Sequence, residues 1–403
     1  MDNVVVVGAG HGAGQVAATL RQKKFAGRIT LLGEERWFPY QRPPLSKKFL
    51  AGELPAERLH FKPQSFYAEQ QIEVHTGKRV AALDRHARTV RASSGETFSY
   101  DRLVLATGGR PRVLDVPGAG LAGVHYLRGI SDVERIRADI AHAKRIGIVG
   151  AGYIGLEVAA VCARLGLGVT VIEMESRVMS RVVSPELSTF YQDVHRTHGV
   201  ELLLSTGVRG FTGQDRVDGI LLEPQALLPV DLVVIGIGIV PNVELAADCG
   251  LDIDNGIVVD DHCRTGDPNI YAVGDCTNHP NALFGRRVRL ESVHNALEQA
   301  RIAAGNICGD DSTYSEVPWF WSDQYDLKLQ IAGLSQGYDE VVIRGMPASQ
   351  SFACLYLRDG ALICVDAVNC PKDFMQSKPL IAAHVRLDPR RLADTAVPLK
   401  EMI

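Results

Sequence analysis

The stretch Val4-Val5-Val6-Val7-Gly8-Ala9-Gly10-His11-Gly12-Ala13-Gly14 constrains this chain more than any other. Four β-branched residues in a row predict a strand buried on both faces, as in a parallel sheet covered by helices. The glycines then turn the chain sharply. Val16, Ala17, Ala18 and Leu20 predict a helix starting at once. A strand, a glycine turn and a helix start together make a pyrophosphate cradle. The helix end supplies unpaired N–H groups and partial positive charge, and glycine lets phosphate oxygens approach the backbone. Gly8 and Gly10 take the first two positions of the dinucleotide pattern, and Ala13 takes the third, which alanine also satisfies. A second strand is expected over Arg28–Leu32. Glu34 follows it, near the point about 20 residues on where an acid holds a ribose hydroxyl.

The same design returns with complete glycine spacing. Arg145–Val149 is an expected strand, Gly150, Gly152 and Gly155 form the turn, and a helix runs through Ile154 and Glu157 to about residue 165. Val169 to Ile172 form the next expected strand, with Glu173 at its end. An acid there accepts hydrogen bonds from both hydroxyls of an adenosine ribose and repels a 2′-phosphate, which favours NAD over NADP. Arg177 and Arg181 lie close enough to modify that preference. Each phosphate turn calls for its own ligand. The natural pair is a tightly held FAD and an exchanging NADH.

The 403 residues allow two or three domains, and with 46% of them hydrophobic the core is ample. A net charge of −4 speaks against general nucleic-acid binding. No apolar run approaches the roughly 20 residues that span a bilayer. The chain opens on a strand, which leaves no room for a leader and points to the cytoplasm. The eight cysteines form no C-x-x-C pair and no zinc or iron–sulfur spacing, so buried reduced thiols and no metal are expected.

The remaining chain falls into recognisable blocks. Residues 37–48, with Trp37, Phe38, Tyr40 and three prolines, read as a loop folded against something. Short strands are expected over 71–82 and 89–91, and a buried strand over 100–109. Strands 230–238 and 269–275 end at Gly238 and Asp275; the Asp275 carboxylate is placed to accept a ribityl hydroxyl proton. An amphipathic helix over 291–304 could face the flavin with its N-terminus. From residue 317 the pattern changes to alternating strands (327–334, 340–344, 351–358, 361–369) and a helix (373–383), an α+β domain with an antiparallel sheet. Trp319 and Trp321 point to one side of an extended segment and Phe320 to the other, either as core or as a cover for the flavin edge.

These pieces resemble the NADH-dependent ferredoxin reductases of bacterial oxygenase systems. The matching segments run nearly end to end. Arg42-Pro43-Pro44-Leu45-Ser46-Lys47 and Trp319 to Gln324 are more specific than the glycine turns. The resemblance implies two Rossmann-like dinucleotide-binding domains of glutathione-reductase type plus the C-terminal α+β domain. Residues 1–110 and 240–315 would bind FAD, 111–239 would bind NAD, and 316–403 would form the third domain. It implies FAD contacts at Gly12, Glu34, Lys47, Val80, Arg128, Asp275 and Val293, and NAD contacts at Gly152, Ile154, Gly155, Glu157, Glu173 and the 236–238 turn. Where many relatives have Val-Pro-Asn, this chain has Val293-His294-Asn295.

On this reading NADH delivers a hydride to FAD, and electrons leave singly to a 2Fe–2S ferredoxin that feeds a haem monooxygenase or an aromatic-ring dioxygenase. Lys47 would lie near flavin N5 and pair with Glu157 across the two domains, from the first turn of the second nucleotide helix. The acidic ferredoxin would dock on Arg286, Arg287, Arg289, Arg301, Lys372 and Lys378, and the reductase would be a monomer or weak homodimer. A flavin disulfide reductase needs a cysteine beside the flavin, and residues 35–60 contain none. A rubredoxin reductase and an apoptosis-inducing-factor-like interaction protein remain as alternatives.

Overall fold

The computed structural model describes residues 3–402. Its contacts divide the chain into two compact units. One comprises Met1–Arg42, Glu57–Arg110 and Val240–Pro318; the other comprises Pro43–Ala56, Pro111–Ile239 and Trp319–Ile403. Residues 43–56, assigned by the sequence reading to the first domain, therefore belong with the second unit.

In the first unit the strand Asn3–Val7 lies between Arg28–Leu32 and Arg102–Leu105, all parallel. Ile270–Ala272 and Ile72–His75 complete the five strands at the two edges. The four valines are buried on alternating faces. Val4 and Val6 pack with Leu20, Ile29, Ala300 and Ala304, beneath the helices His11–Gln22 and Val293–Ile307. Val5 and Val7 pack with Leu103, Leu105, Val90 and Tyr100 on the other side. Sequence alternation thus becomes a sheet covered on both faces. A three-stranded antiparallel sheet, Val80–Asp84, Thr89–Ala92 and Thr97–Ser99, is inserted before Arg102–Leu105.

The second unit repeats that plan. Arg145–Val149 lies between Gly168–Ile172 and Leu232–Ile235, with Glu201–Leu203 and Val124–Tyr126 at the edges. A three-stranded antiparallel sheet, Gly207–Gly213, Val217–Glu223 and Ala226–Pro229, is inserted at the equivalent place. The same unit carries the expected antiparallel sheet, in the order Trp319–Gln324, Leu327–Gly333, Ala361–Val368, Ser351–Arg358, Glu340–Met346. The helix Pro371–Ala382 packs on it. The architecture is α/β with a C-terminal α+β portion, as the sequence implies.

One core residue of that sheet is chemically out of place. Asp366 is fully buried and its Oδ1 has no hydrogen-bond partner. Tyr356 donates to Oδ2, while its own oxygen accepts from the Ser184 N–H at 2.9 Å. Burial pushes the Asp366 carboxyl up to about 7, and the Tyr356 hydrogen bond only partly offsets it. The folded state therefore binds a proton that an unfolded aspartate, at about 3.9, has already released. Stability is present at low pH and is lost as pH rises from about 4 through about 7, by at most about 1.4 kcal/mol per pH unit. Asp366→Asn keeps an acceptor for Tyr356 and removes the titration. The variant's melting temperature relative to the native chain should rise from pH 5 to about pH 7 and level off above it in scanning calorimetry. An advantage independent of pH would contradict this.

Candidate functional site

In the first unit the glycine turn is built by a steric demand. Gly8 has φ +127°, and a Cβ there would come within 2.2 Å of the Ala106 carbonyl oxygen. The turn therefore holds strand Arg102–Leu105 tight against the first strand. Gly12 faces Val273, where a Cβ would sit at 3.0 Å. Gly10 differs: a Cβ there would meet nothing within 4 Å among the described residues. It precedes helix His11–Gln22, whose first turn has no acid and no side-chain cap. Open space over unpaired helix N–H groups is the geometry a pyrophosphate fills.

The second turn repeats the close approach at its first glycine and the open space at its second. Gly150 has φ +102°, with a Cβ reaching within 2.5 Å of the Gly236 carbonyl oxygen. Gly155 would place a Cβ 2.1 Å from the Gly150 carbonyl oxygen, so the helix can approach only because that residue is glycine. Gly152, like Gly10, faces open space, and helix Tyr153–Arg164 begins without acid or side-chain cap. Ile154 is exposed at the helix start, and Gly238 (φ +102°) also faces open space. Both turns thus fit a nucleotide pyrophosphate.

The expected ribose acids are placed differently. Glu34 is exposed, with Arg79 at 3.6 Å. Glu173 accepts from the Ala151 N–H at 2.7 Å and from the Glu175 N–H at 3.0 Å, so it also shapes the turn. A carboxylate has about four acceptor sites, which leaves room for ribose hydroxyls. Arg177 is committed elsewhere: it donates to the Val183 and Ser180 carbonyls and to Ser188 Oγ at 2.6 to 2.9 Å. It is not available to a 2′-phosphate.

Lys47 and Glu157 meet. Two prolines open the 3₁₀ turn Pro43–Ser46, which ends where Lys47 Nζ reaches Glu157 Oε2 at 2.8 Å and the Pro43 carbonyl at 3.2 Å. Glu157 is only 2% exposed. It also accepts from Ser46 Oγ at 2.5 Å and from Ser322 Oγ at 2.6 Å. Two details correct the sequence reading. Glu157 is the fifth residue of its helix, past the first turn, and both partners lie within one unit. Residues 43–56 join that unit because they pack on its helices: the Arg137 guanidinium lies 5.8 Å from the Phe49 ring, and Glu53 is 3.6 Å from Arg164.

Other expected site residues are distributed as follows. Val80 is buried at the start of its strand. The Arg128 N–H donates to Asp132 Oδ2 at 2.9 Å, before helix Ile130–Ile140. Val293 begins its helix, capped by Ser292, with His294 following. Asp275 follows Gly274, whose N–H donates to Gln299 Oε1 at 2.7 Å. The Trp319 and Trp321 rings lie tilted with centroids 5.5 Å apart, and Phe320 lies tilted to Tyr153 at 4.9 Å. Of the expected docking residues, Arg287 is held by the Val259 carbonyl and Asn278, Arg289 by Glu291 and Arg301 by Glu298. Arg286 and Lys372 are exposed. Lys378 lies over Trp319 and Phe374, at 4.8 and 4.6 Å.

Sequence reasoning missed a second cluster. Arg42 pairs with Glu35 at 2.6 Å, and Tyr40 donates to Glu35 at 2.6 Å. Burial opposes the Arg42 charge, but Tyr40, Glu35 and Asp275 outweigh it and raise its pKa. It missed Ser46, Ser322 and Gln324 as well, although all three stand in the two most specific segments.

Comparison with known proteins gives one family over most of the chain. The model for pyridine nucleotide-disulphide oxidoreductases matches residues 2–300, and that for a reductase C-terminal domain matches 319–403. A 5,5′-dehydrodivanillate O-demethylase ferredoxin reductase subunit from Sphingobium is 45% identical, covering 99% of this chain and 97% of the relative. Putidaredoxin reductase from Pseudomonas putida is 44% identical, over 100% of this chain and 97% of its own length. Among solved structures, the ferredoxin reductase for the CYP199A2 system of Rhodopseudomonas palustris superposes with a TM-score of 0.97 at 43% identity, covering 100% and 99% of the two chains. A covalent putidaredoxin reductase–putidaredoxin complex gives 0.96 at 44%, covering 100% and 98%. No helix among the described residues is long and apolar enough to cross a membrane.

The open space over Gly10 and Gly152 separates ligand binding from folding. Both residues have ordinary negative φ, so alanine fits the backbone. Gly10→Ala should leave the flavin-free melting temperature within about 2 °C while lowering retained flavin per chain several-fold. Gly152→Ala should raise the NADH KM instead, with flavin content unchanged. Absorbance ratios and steady-state kinetics read both outcomes.

Proposed function

We propose, for a chain that belongs to the pyridine nucleotide-disulphide oxidoreductase family, that it takes electrons from NADH through FAD and delivers them singly to a 2Fe–2S ferredoxin of an oxygenase system. The observation that carries this reading is the pair of open helix-start cradles in one chain. FAD, when bound, supplies the chemistry, accepting a hydride pair and releasing electrons one at a time. The first unit holds FAD, with Gly8, Gly10, Gly12, Glu34, Val80, Asp275 and Val293 at its site. The second unit holds NADH at Gly150, Gly152, Ile154, Gly155, Glu173 and Gly238. The committed Arg177 leaves Glu173 to favour NADH over NADPH.

The protein's part in hydride transfer is orientation and charge. Lys47 carries the cation, and the buried Glu157 carboxylate holds it in place. Sulfur chemistry has no support: burial raises the pKa of all eight cysteine thiols, and none lies in residues 35–60. A thiol kept protonated is neither nucleophile nor redox relay. Electrons then leave to a docked partner, and an acidic ferredoxin is the carrier that the basic side chains expected from the sequence would suit. The reaction is a cytoplasmic one on this reading.

The decisive experiment is anaerobic reduction of 2Fe–2S ferredoxins by NADH and the purified flavoprotein. Saturable reduction is expected, weakening as salt rises from 50 to 500 mM, with NADPH at least about ten-fold poorer in kcat/KM. Lys47→Met should slow reduction of bound FAD by about ten- to a hundred-fold. Transfer to rubredoxin alone, or a long-lived reduced complex that reduces no ferredoxin, would overturn the proposal.

A further inference from the structure

A series of buried contacts ends on Glu157. The carboxylate sits beside the Lys47 ammonium and has no proton to give. Its 2.6 Å contact with Ser322 is therefore a hydrogen bond that Ser322 donates. A hydroxyl has one proton, so at its other contact, 3.3 Å from the Gln324 amide, Ser322 accepts. That settles which way Gln324 points: its NH₂ faces Ser322 and its oxygen faces His195 Nε2 at 2.9 Å. The imidazole must then carry its proton on Nε2. Nδ1 is left as the acceptor, 3.1 Å from the Tyr325 hydroxyl, which donates. Each assignment follows from the one before, and all begin from the negative charge.

The setting makes this order rigid. Ser322 and Gln324 are two residues apart on strand Trp319–Gln324 and share its buried face. His195 is fully buried on helix Pro185–Thr197. Burial pushes it down to about 4, against the opposing Gln324 hydrogen bond, so it stays neutral. Tyr325 is fixed from outside by His198, stacked on its ring at 3.7 Å.

We propose that Tyr325, His195, Gln324 and Ser322 form a one-way donor chain that locks the Glu157 carboxylate, and through it Lys47, in the nucleotide site. His195 and Gln324, both buried, are positioning residues for the reaction. The chain orients and does not conduct, because the Gln324 amide has no acidic proton to pass on. The positioning role rests on the reading of Lys47 given above.

Two measurements on the full-length flavoprotein test it. In ¹⁵N-histidine NMR, His195, identified by the signal lost in His195→Gln, should be the neutral Nε2–H tautomer and stay so from about pH 5.5 to about pH 9. An Nδ1–H tautomer, or titration in that range, overturns the chain. Rapid mixing with NADH reads the positioning. Gln324→Glu keeps shape but cannot donate, so the Ser322 proton turns away from Glu157. FAD reduction should slow about ten-fold, with the NADH dissociation constant within about two-fold. His195→Leu should slow it likewise, and His195→Gln, which keeps a donor near Nε2, should restore most of the rate. A Gln324→Glu protein that reduces FAD at the native rate overturns the positioning role. If Lys47→Met is itself without effect, the reading of Lys47 fails, and the tautomer alone decides the chain.

Discussion

A carboxylate almost wholly out of water is costly unless donors meet it, and the second unit is assembled around one such group. Glu157, on its own helix, is met by two segments far apart in sequence: Ser46 and Lys47 after the prolines, and Ser322 from the C-terminal sheet. Removing Lys47 would leave the charge buried without its counter-ion, which is far worse than never having buried it. This constraint explains why residues 43–56 belong with the nucleotide helix and not with the segments on either side of them. It also explains why the strand Trp319–Gln324 turns Ser322 and Gln324 inward, where apolar residues would otherwise pack.

The second organising principle is duplication. Both parallel sheets place a central strand whose glycine turn sits against the carbonyl of the neighbouring strand, Ala106 in one and Gly236 in the other. Both insert a three-stranded antiparallel sheet at the same point in the strand order. The close approach forces positive φ at Gly8 and Gly150. The open side of each turn, at Gly10 and Gly152, then faces away from protein. Tight packing on one side and empty space on the other are two results of one backbone path. Phosphate binding is in this sense a by-product of how the helix is brought to the sheet.

Much of this was legible in the sequence because backbone demands leave residue-level marks. Four consecutive valines before a glycine turn mark a strand covered on both faces, and the first glycine of each turn marks a place with no room for a Cβ. Alternation after residue 317 marked the antiparallel sheet. What could not be read was side-chain traffic between segments distant in the chain. Ser46 and Ser322 are 276 positions apart by number, and nothing in either local pattern says that they share one acceptor. His195 lies in an ordinary amphipathic helix, where a histidine gives no sign of its partners. Residues 43–56 show the same limit: continuity along the chain suggested the first domain, while their contacts cluster with the second unit. Arg177 looked able to bind phosphate until its donors were found on Val183, Ser180 and Ser188.

The family name joins pyridine nucleotides to disulfides, and none of the eight cysteines of this chain is paired in the structure. A disulfide route needs a thiolate, and a thiolate needs a positive or polar environment to lower its pKa. The eight cysteines here have the opposite surroundings, from Cys162 in a buried helix to Cys364 in the core of the antiparallel sheet. The buried ion pair at the second nucleotide helix uses lysine and glutamate, neither of which changes oxidation state. Such a pair can steady charge on a neighbouring group while electrons pass, but it can store none. In a family whose electron chemistry is supplied by FAD and a pyridine nucleotide, the chain's own contribution is to hold charges and rings in place.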